Sequence, residues 1–257
     1  MAKKLLKSAL AALAVAAFWI LIWYLAALRV GKELLLPSPL SVLKRLFEIM
    51  ESKEFYITTA YSLIRVMGGI IIASFAGIIL AILSHFSAII SALVRPLITV
   101  IKATPVASFI ILALVWLDRG NLPVFISLLM VLPVIWTNLT TGLGQIDIKL
   151  LELAKVYKIG FFQKVKGIYI PFVMPYFSSA LKTSLGLAWK AGIAAEVLAV
   201  PARSIGKELF NSKTYFETAD LFAWTVVVII LSLIIEFIFE ALLGKVMGRR
   251  AQNVKNR

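Results

Sequence analysis

Few side chains in this 257-residue chain could carry catalysis. It has no cysteine and a single histidine, His85, which excludes thiol chemistry, disulfides and a Cys- or His-rich metal site. Gly-Lys occurs as Gly31-Lys32-Glu33, Gly206-Lys207-Glu208 and Gly244-Lys245-Val246, never followed by Ser or Thr, so no Walker phosphate loop is present. What stands out is a set of ionisable residues inside long apolar runs: Arg65, Lys182, Lys190, Glu196, Glu236 and Glu240. Such groups are costly in lipid and are functional candidates for that reason. Ala180, Ser184, Ala188, Gly192 and Glu196 share one i+4 face of a helix, and Lys182, Gly186 and Lys190 share another. Small residues beside charges suit a helix that lines a pore or packs tightly. Lys190 and Glu196 lie about 9 Å apart along the axis and on different faces, so they are not expected to pair. Lys190 and Glu196 are the expected path-lining residues, with Lys182 and Trp189 beside them, and Lys190 would favour an anionic or polar cargo. The competing reading has each charge neutralised by a neighbouring span. Arg65 is expected to snorkel, and Glu236 and Glu240 to meet internal partners or interfacial lysines. His85 reads as an interfacial residue, Trp116, Trp136, Trp189 and Trp224 as packing residues, and Asn138 as a hydrogen-bonding residue between helices.

The elements that must position these residues are membrane helices. Hydrophobic residues make up 61% and charged residues 16% of the chain, far from the balance of a soluble domain. A soluble enzyme is thereby excluded. Runs long enough to cross a bilayer extend over about Ala9–Leu28, Ser62–Ser84, Leu122–Leu143, Phe172–Val200 and Leu221–Leu243. A shorter one, Val106–Leu117, follows a break at Thr104-Pro105. The first run has the basic start of a signal peptide, but its length and Trp19, Trp23 and Tyr24 favour a retained span. Between the first two runs, Leu36-Pro37-Ser38-Pro39 makes a turn. Ser41 is the expected cap of a short interfacial helix with a Leu43, Leu46, Phe47, Met50 stripe. Gly69, Ala73, Gly77 and Ala81 form a small-residue stripe for close approach of another helix. The expected fold is all-α: a polytopic membrane protein with six transmembrane helices in one domain over residues 1–257.

The net charge is +14, which in a soluble protein would suggest nucleic acid. Its distribution removes that reading. With 1–8, 84–104, 144–171 and 244–257 on one side, that side holds 15 basic residues against two acids, and the opposite loops nine against eight. The excess is cytoplasmic by the positive-inside rule, with both termini inside. The 144–171 loop alone carries five lysines. Asp147 caps a helix expected from Ile148, with Leu150, Ala154 and Tyr157 on one face and Lys149, Glu152 and Lys155 on another. Ile159-Gly160 breaks it, and a second short helix is expected over Phe161–Gly167, ending before Ile168-Tyr169-Ile170-Pro171. The pattern alone fits a docking element and a solvated, topology-setting loop equally well.

Glu152-Leu153-Ala154 with Ile168-Tyr169-Ile170-Pro171 resembles the EAA loop of ABC importer permeases, whose motif reads EAA, three residues, Gly, nine residues, I-x-L-P. Glu152 to Pro171 has the motif's spacing. Leu153 replaces the second Ala, and Lys158 stands at the glycine position with a glycine displaced to Gly160, which shifts the expected turn. Leu35-Leu36-Pro37-Ser38-Pro39, Ser62-Leu63-Ile64-Arg65-Val66, Arg95-Pro96, Thr104-Pro105-Val106, and Gly186-Leu187-Ala188-Trp189-Lys190 through Ala195-Glu196 resemble the nitrate/sulfonate/taurine-type group of these type I permeases.

The resemblance implies a non-catalytic permease in the bacterial cytoplasmic (inner) membrane. It implies a dimer of permeases, two cytoplasmic ABC ATPase subunits that hold ATP and Mg, and an extracytoplasmic substrate-binding protein. Glu152, Ala154, Lys155, Tyr157, Lys158, Gly160 and Pro171 would form the ATPase-coupling element, and no cofactor is expected on this chain. The cargo implied is a small polar or anionic solute such as nitrate, a sulfonate or taurine, or a thiamine-precursor-like compound. An ion-gradient-driven secondary transporter is the alternative. That class often shows internal repeats, and none is evident here.

Overall fold

The computed structural model describes the backbone of residues 2–255 and the side chains of residues 11 and 13–242. The basic start (Lys3, Lys4, Lys7) and the basic tail from Lys245 lie outside the described side chains. The described residues form helices and connecting turns, without strands: α1 (Ala2–Val30), α2 (Pro39–Glu51), α3 (Lys53–Phe86), α4 (Ala88–Ala103), α5 (Val106–Ala113), α6 (Leu122–Gly144), α7 (Ile148–Val156), α8 (Phe161–Lys164), α9 (Ile170–Ala199), α10 (Ile205–Thr214) and α11 (Thr218–Lys255).

Among the described residues four helices, α1, α3, α6 and α11, are long and apolar enough to cross a membrane. The expected third span is corrected. Residues 106–113 form a helix only about 12 Å long, which cannot cross a roughly 30 Å hydrocarbon core. It is bent 104° from α4 at Thr104-Pro105, so the two make a broken span or a re-entrant element. Proline explains the break, because Pro105 disfavours helix at Thr104 and then starts α5. The fifth expected span, α9, has 30 residues and thus the length to cross. Its charges and small polar residues keep it less apolar than the other four.

The core is α6 with α3 and α9 packed along it. Of the most apolar stretch of each helix, 61% is buried in α6, 33% in α3, 17% in α11 and 6% in α1. Lipid tails are as apolar as leucine, so helices associate in a bilayer through close packing rather than hydrophobic transfer. The small-residue stripes supply that packing. A Cβ at Gly69 would fall 2.4 Å from the Val124 carbonyl oxygen, and one at Gly77 2.7 Å from the Ile135 side chain. Ala73 and Ala81 of the same stripe are fully buried.

α2 is capped by Ser38, not Ser41: the Ser38 hydroxyl accepts the Ser41 N–H, while the Ser41 hydroxyl donates to Glu33. Pro39 follows Ser38 at the first helical position, where a missing N–H costs nothing. Its buried face is Val42, Leu46 and Ile49, and of the expected stripe Leu43, Phe47 and Met50 are exposed. Asn138 donates to the Val134 carbonyl of its own helix rather than across helices. Trp136, Trp189 and Trp224 are buried, whereas Trp116 is exposed. The N-terminal quarter is held at one end of the bundle by the start of α11. Trp23 stacks on Phe222, Thr218 donates to the Leu34 carbonyl, and Arg45 pairs with Asp220. Both carboxylates beside Arg45, Asp220 and Glu48, push its guanidinium above its usual range.

Candidate functional site

At the opposite end of the bundle, residues 147–171 form a two-helix element between α6 and α9. Asp147 caps α7 as expected, accepting the Lys149 N–H at 2.9 Å. The turn after α7 is not displaced to Gly160. Lys158 itself takes the left-handed conformation, φ +50°. Its N–H donates to the Lys155 carbonyl, and the Ile159 N–H reaches back to Ala154 at 2.9 Å. This is a Schellman closure with lysine where glycine is usual, so the conformation of the motif's glycine position is kept without the glycine. Gly160 instead caps α8 in extended backbone.

The second helix departs from expectation. α8 ends at Lys164, and a π-helical turn over Val165–Tyr169 carries the chain into α9 without a stop before Ile168. The Ile170 N–H donates to the Val165 carbonyl, the five-residue bond of that geometry. Such insertions concentrate at functional sites.

Ala154 and Ile168 are buried against Leu143 and Ile146, with Leu150 and Ile159 around them, and this contact anchors the element to the end of α6. Tyr157, expected on the packing face, is 76% exposed, because α7 ends at Val156 and the turn rotates it outward. Val156, Phe161 and Phe162 are also exposed, at 75, 68 and 85%. Glu152, Lys155, Lys158, Gly160 and Pro171 are exposed as well. The element is thus an apolar surface edged with lysines, standing on a buried base.

α9 sorts its residues by face. The stripe Ala180, Ser184, Ala188, Gly192, Glu196 is buried throughout. Val66 and Ser127 pack where a Gly192 side chain would sit. Lys190 is exposed, and so are Ser179, Thr183 and Ala194 near it on the helix. Lys182 is exposed and pairs with Glu240 at 2.9 Å, with Glu236 lining the same small crevice against α11. Trp189 is 1% exposed and donates its indole N–H to the Val228 carbonyl, so its ring is held in packing.

Glu196 is wholly enclosed. Its carboxylate accepts the Ser62 hydroxyl at 2.7 Å, the Gly206 N–H at 3.2 Å and Arg65 at 3.5 Å. Lys190 is not among these partners, in agreement with the spacing. Arg65 does not snorkel: its side chain is 15% exposed and also donates to the Ala202 and Arg203 carbonyls at 2.9 and 3.1 Å. The knot ties α3, the end of α9 and the start of α10 together, across a turn in which Val200 and Arg203 take positive φ. Of the two charges expected to line a path, Lys190 is open and Glu196 is held in this network.

A family model described as the binding-protein-dependent transport system inner membrane component matches residues 58–249, three quarters of the chain. The chain belongs to this family of ABC importer permeases. The permease is 25% identical over 227 residues to the taurine transport system permease protein TauC of Escherichia coli (strain K12), covering 86% of this chain and 82% of that one. It is 28% identical over 188 residues to the nitrate import permease protein NrtB of Synechococcus elongatus, covering 69% and 67%. It is 24% identical over 211 residues to SsuC of Bacillus subtilis (strain 168), a permease named for aliphatic sulfonates, covering 81% and 76%.

Sequence reasoning missed the Arg65–Glu196 pair and the Lys102–Thr137 contact at 2.8 Å that joins α4 to α6. The first had a signal. Ser62, Arg65 and Glu196 are each polar in an apolar run, and buried charges need partners.

Proposed function

We propose that the chain is a single transmembrane permease domain of an ATP-driven importer in the bacterial cytoplasmic membrane. In this reading α9 and the bent α4–α5 pair complete six spans with both termini inside. Two copies form the pore, and residues 147–171 couple each to a cytoplasmic ATPase that holds ATP and Mg. A substrate-binding protein delivers cargo from the other side. The observation that carries this reading is the two-helix element: Val156, Tyr157 and Phe162 stand exposed beside Lys155 and Lys158, on a base fixed by Ala154 and Ile168. An exposed apolar surface with a polar edge is what a partner groove covers. The π-helical turn then provides a joint through which a rigid-body movement of the ATPases reaches α9.

The exposed face of α9, with Lys190, Ser179 and Thr183, faces the translocation path. A lysine among hydroxyls and small side chains suits a small anionic or polar solute, and the taurine and nitrate names of relatives are consistent with that class. Co-purification in mild detergent tests the coupling. A stoichiometric ATPase partner is expected with the wild-type chain and is lost with Glu152→Arg or Phe162→Asp while the permease stays monodisperse. A chain that purifies alone and drives uptake under a proton or sodium gradient would overturn the reading in favour of a secondary transporter.

A further inference from the structure

The second feature of the 161–177 region is an open-sided crevice of about 400 Å³. Its walls are the ends of α3 and α6, the π-helical turn and the start of α9, including Ile82, Phe86, Leu139, Val165, Tyr169 and Met174. Apart from the Tyr169 phenol the lining side chains are apolar, so the crevice suits an apolar occupant better than a polar cargo. Its volume falls in the roughly 300–1,000 Å³ range of ligand pockets. The rim is open, with Ile82 44%, Phe86 66% and Phe161 68% exposed.

Charge next to a lining residue narrows the occupant. Lys164 and Lys166 alternate with Val165, which lines the crevice. Between Glu152 and Glu196 the chain has no carboxylate, α6 has none, and α3 has one, Glu54, at its far end. An apolar slot in a membrane protein, with a lysine on either side of the lining residue Val165, complements an acyl chain joined to an anionic head group. We propose that this crevice binds an anionic phospholipid, with one acyl chain between α3, α6 and α9 and the phosphate at Lys164 and Lys166. Because Val165 and Tyr169 belong to the π-helical turn, the bound chain would touch the joint between the 147–171 element and α9. The proposal requires only that the chain sits in a bilayer and stands apart from the identity of its ATPase or cargo.

The test counts lipid retained by the purified permease, with whatever partners co-purify, by native mass spectrometry. Phosphatidylglycerol and phosphatidylcholine of matched chains are offered in turn. The wild-type chain is expected to prefer phosphatidylglycerol on the order of tenfold. Ile82→Phe and Ile82→Trp fill the slot from its rim and should lose the bound lipid in graded fashion. Lys164→Glu with Lys166→Glu should keep a chain bound but lose the head-group preference. Equal retention of the two lipids by wild type overturns the proposal, as does an unchanged preference in the charge-reversed pair. So does undiminished phosphatidylglycerol in monodisperse Ile82 variants. Loss of a second permease copy from those variants, with lipid unchanged, would assign the crevice to protein packing instead. If the Ile82 variants misfold, the half-buried Lys164 and exposed Lys166 decide alone.

Discussion

Removing the Glu196 carboxylate tests the structure most directly, because the same residue invites two opposite readings. If Glu196 lines a path, its loss should damage transport and leave the fold alone. The enclosed geometry says otherwise. Its side chain is fully buried, Arg65 is 15% exposed, and Ser62 and Gly206 depend on it as acceptor. In Glu196→Leu, Arg65 keeps the Ala202 and Arg203 carbonyls but loses its counter-charge, and two donors are left unpaired. Breaking a buried pair costs about 3–5 kcal/mol, and the retained carbonyls place this case near the lower end. With a roughly 2–4 °C shift per kcal/mol for a chain of this size, an apparent melting temperature about 6–12 °C lower is expected. Glu196→Gln keeps an acceptor for Ser62 and Gly206 and should cost about 1–2 kcal/mol. Heating in detergent followed by size-exclusion chromatography gives the global value. Tryptic cleavage after Arg203 gives the local one, since the turn it sits in is held by Arg65. Cleavage should quicken in Glu196→Leu far more than in Glu196→Gln. Wild-type melting and cleavage in Glu196→Leu, with transport lost, would refute the structural assignment and make the carboxylate a cargo contact.

Four further outcomes follow from the geometry. Gly69→Ala should destabilise by about 1–3 kcal/mol through overpacking against α6, whereas Gly68→Ala, with nothing within 4 Å of its Cβ, should be neutral or stabilising in the same melting assay. Lys158→Gly removes a left-handed strain of about 1–2 kcal/mol against an unfolded-state entropy cost of about 0.4–1 kcal/mol, so it should melt at or slightly above wild type and keep its ATPase. Lys158→Val should melt lower. Burial, with Glu54 and Asp220 nearby, pushes the Glu208 carboxyl up, against an opposing pull from Lys207. The folded state therefore holds the proton more tightly than the unfolded one, and stability should fall as pH rises from the ordinary carboxylate range through the raised value. Glu208→Gln should flatten that slope in a melting series. Lys190→Ala should reduce uptake in reconstituted vesicles while ATPase co-purification persists, and unchanged uptake would remove Lys190 from the path.

The parts of the fold written in local spacing were legible in the chain. Gly69, Ala73, Gly77 and Ala81 announce a close helix contact because only small side chains at i+4 permit one, and Gly69 and Gly77 meet α6 backbone or side chain. Asp147 announces the start of α7 by the chemistry of its side chain. What depends on distant partners was not legible. Arg65 and Glu196 stand 131 residues apart, so spacing allows a partner on a neighbouring span without naming it. The 104° bend follows a proline that marks a break without setting its angle. Lys158 shows the limit of motif matching. A non-glycine residue in the left-handed region looks like a lost turn on paper, yet two backbone hydrogen bonds hold the turn in place.

The clasp at the α2 end has a consequence for how the chain is made. α1 is translated before α2–α11, and its most apolar stretch is 6% buried. The residue that Trp23 stacks on, Phe222, is translated about 200 residues later, and Leu34 and Arg45 likewise wait for Thr218 and Asp220. α1 therefore stays undocked at that clasp until α11 arrives, and the α3–α6–α9 centre can form in between. Nascent chains stalled before Thr218 should place Trp23 in lipid, and full-length chains should place it against α11.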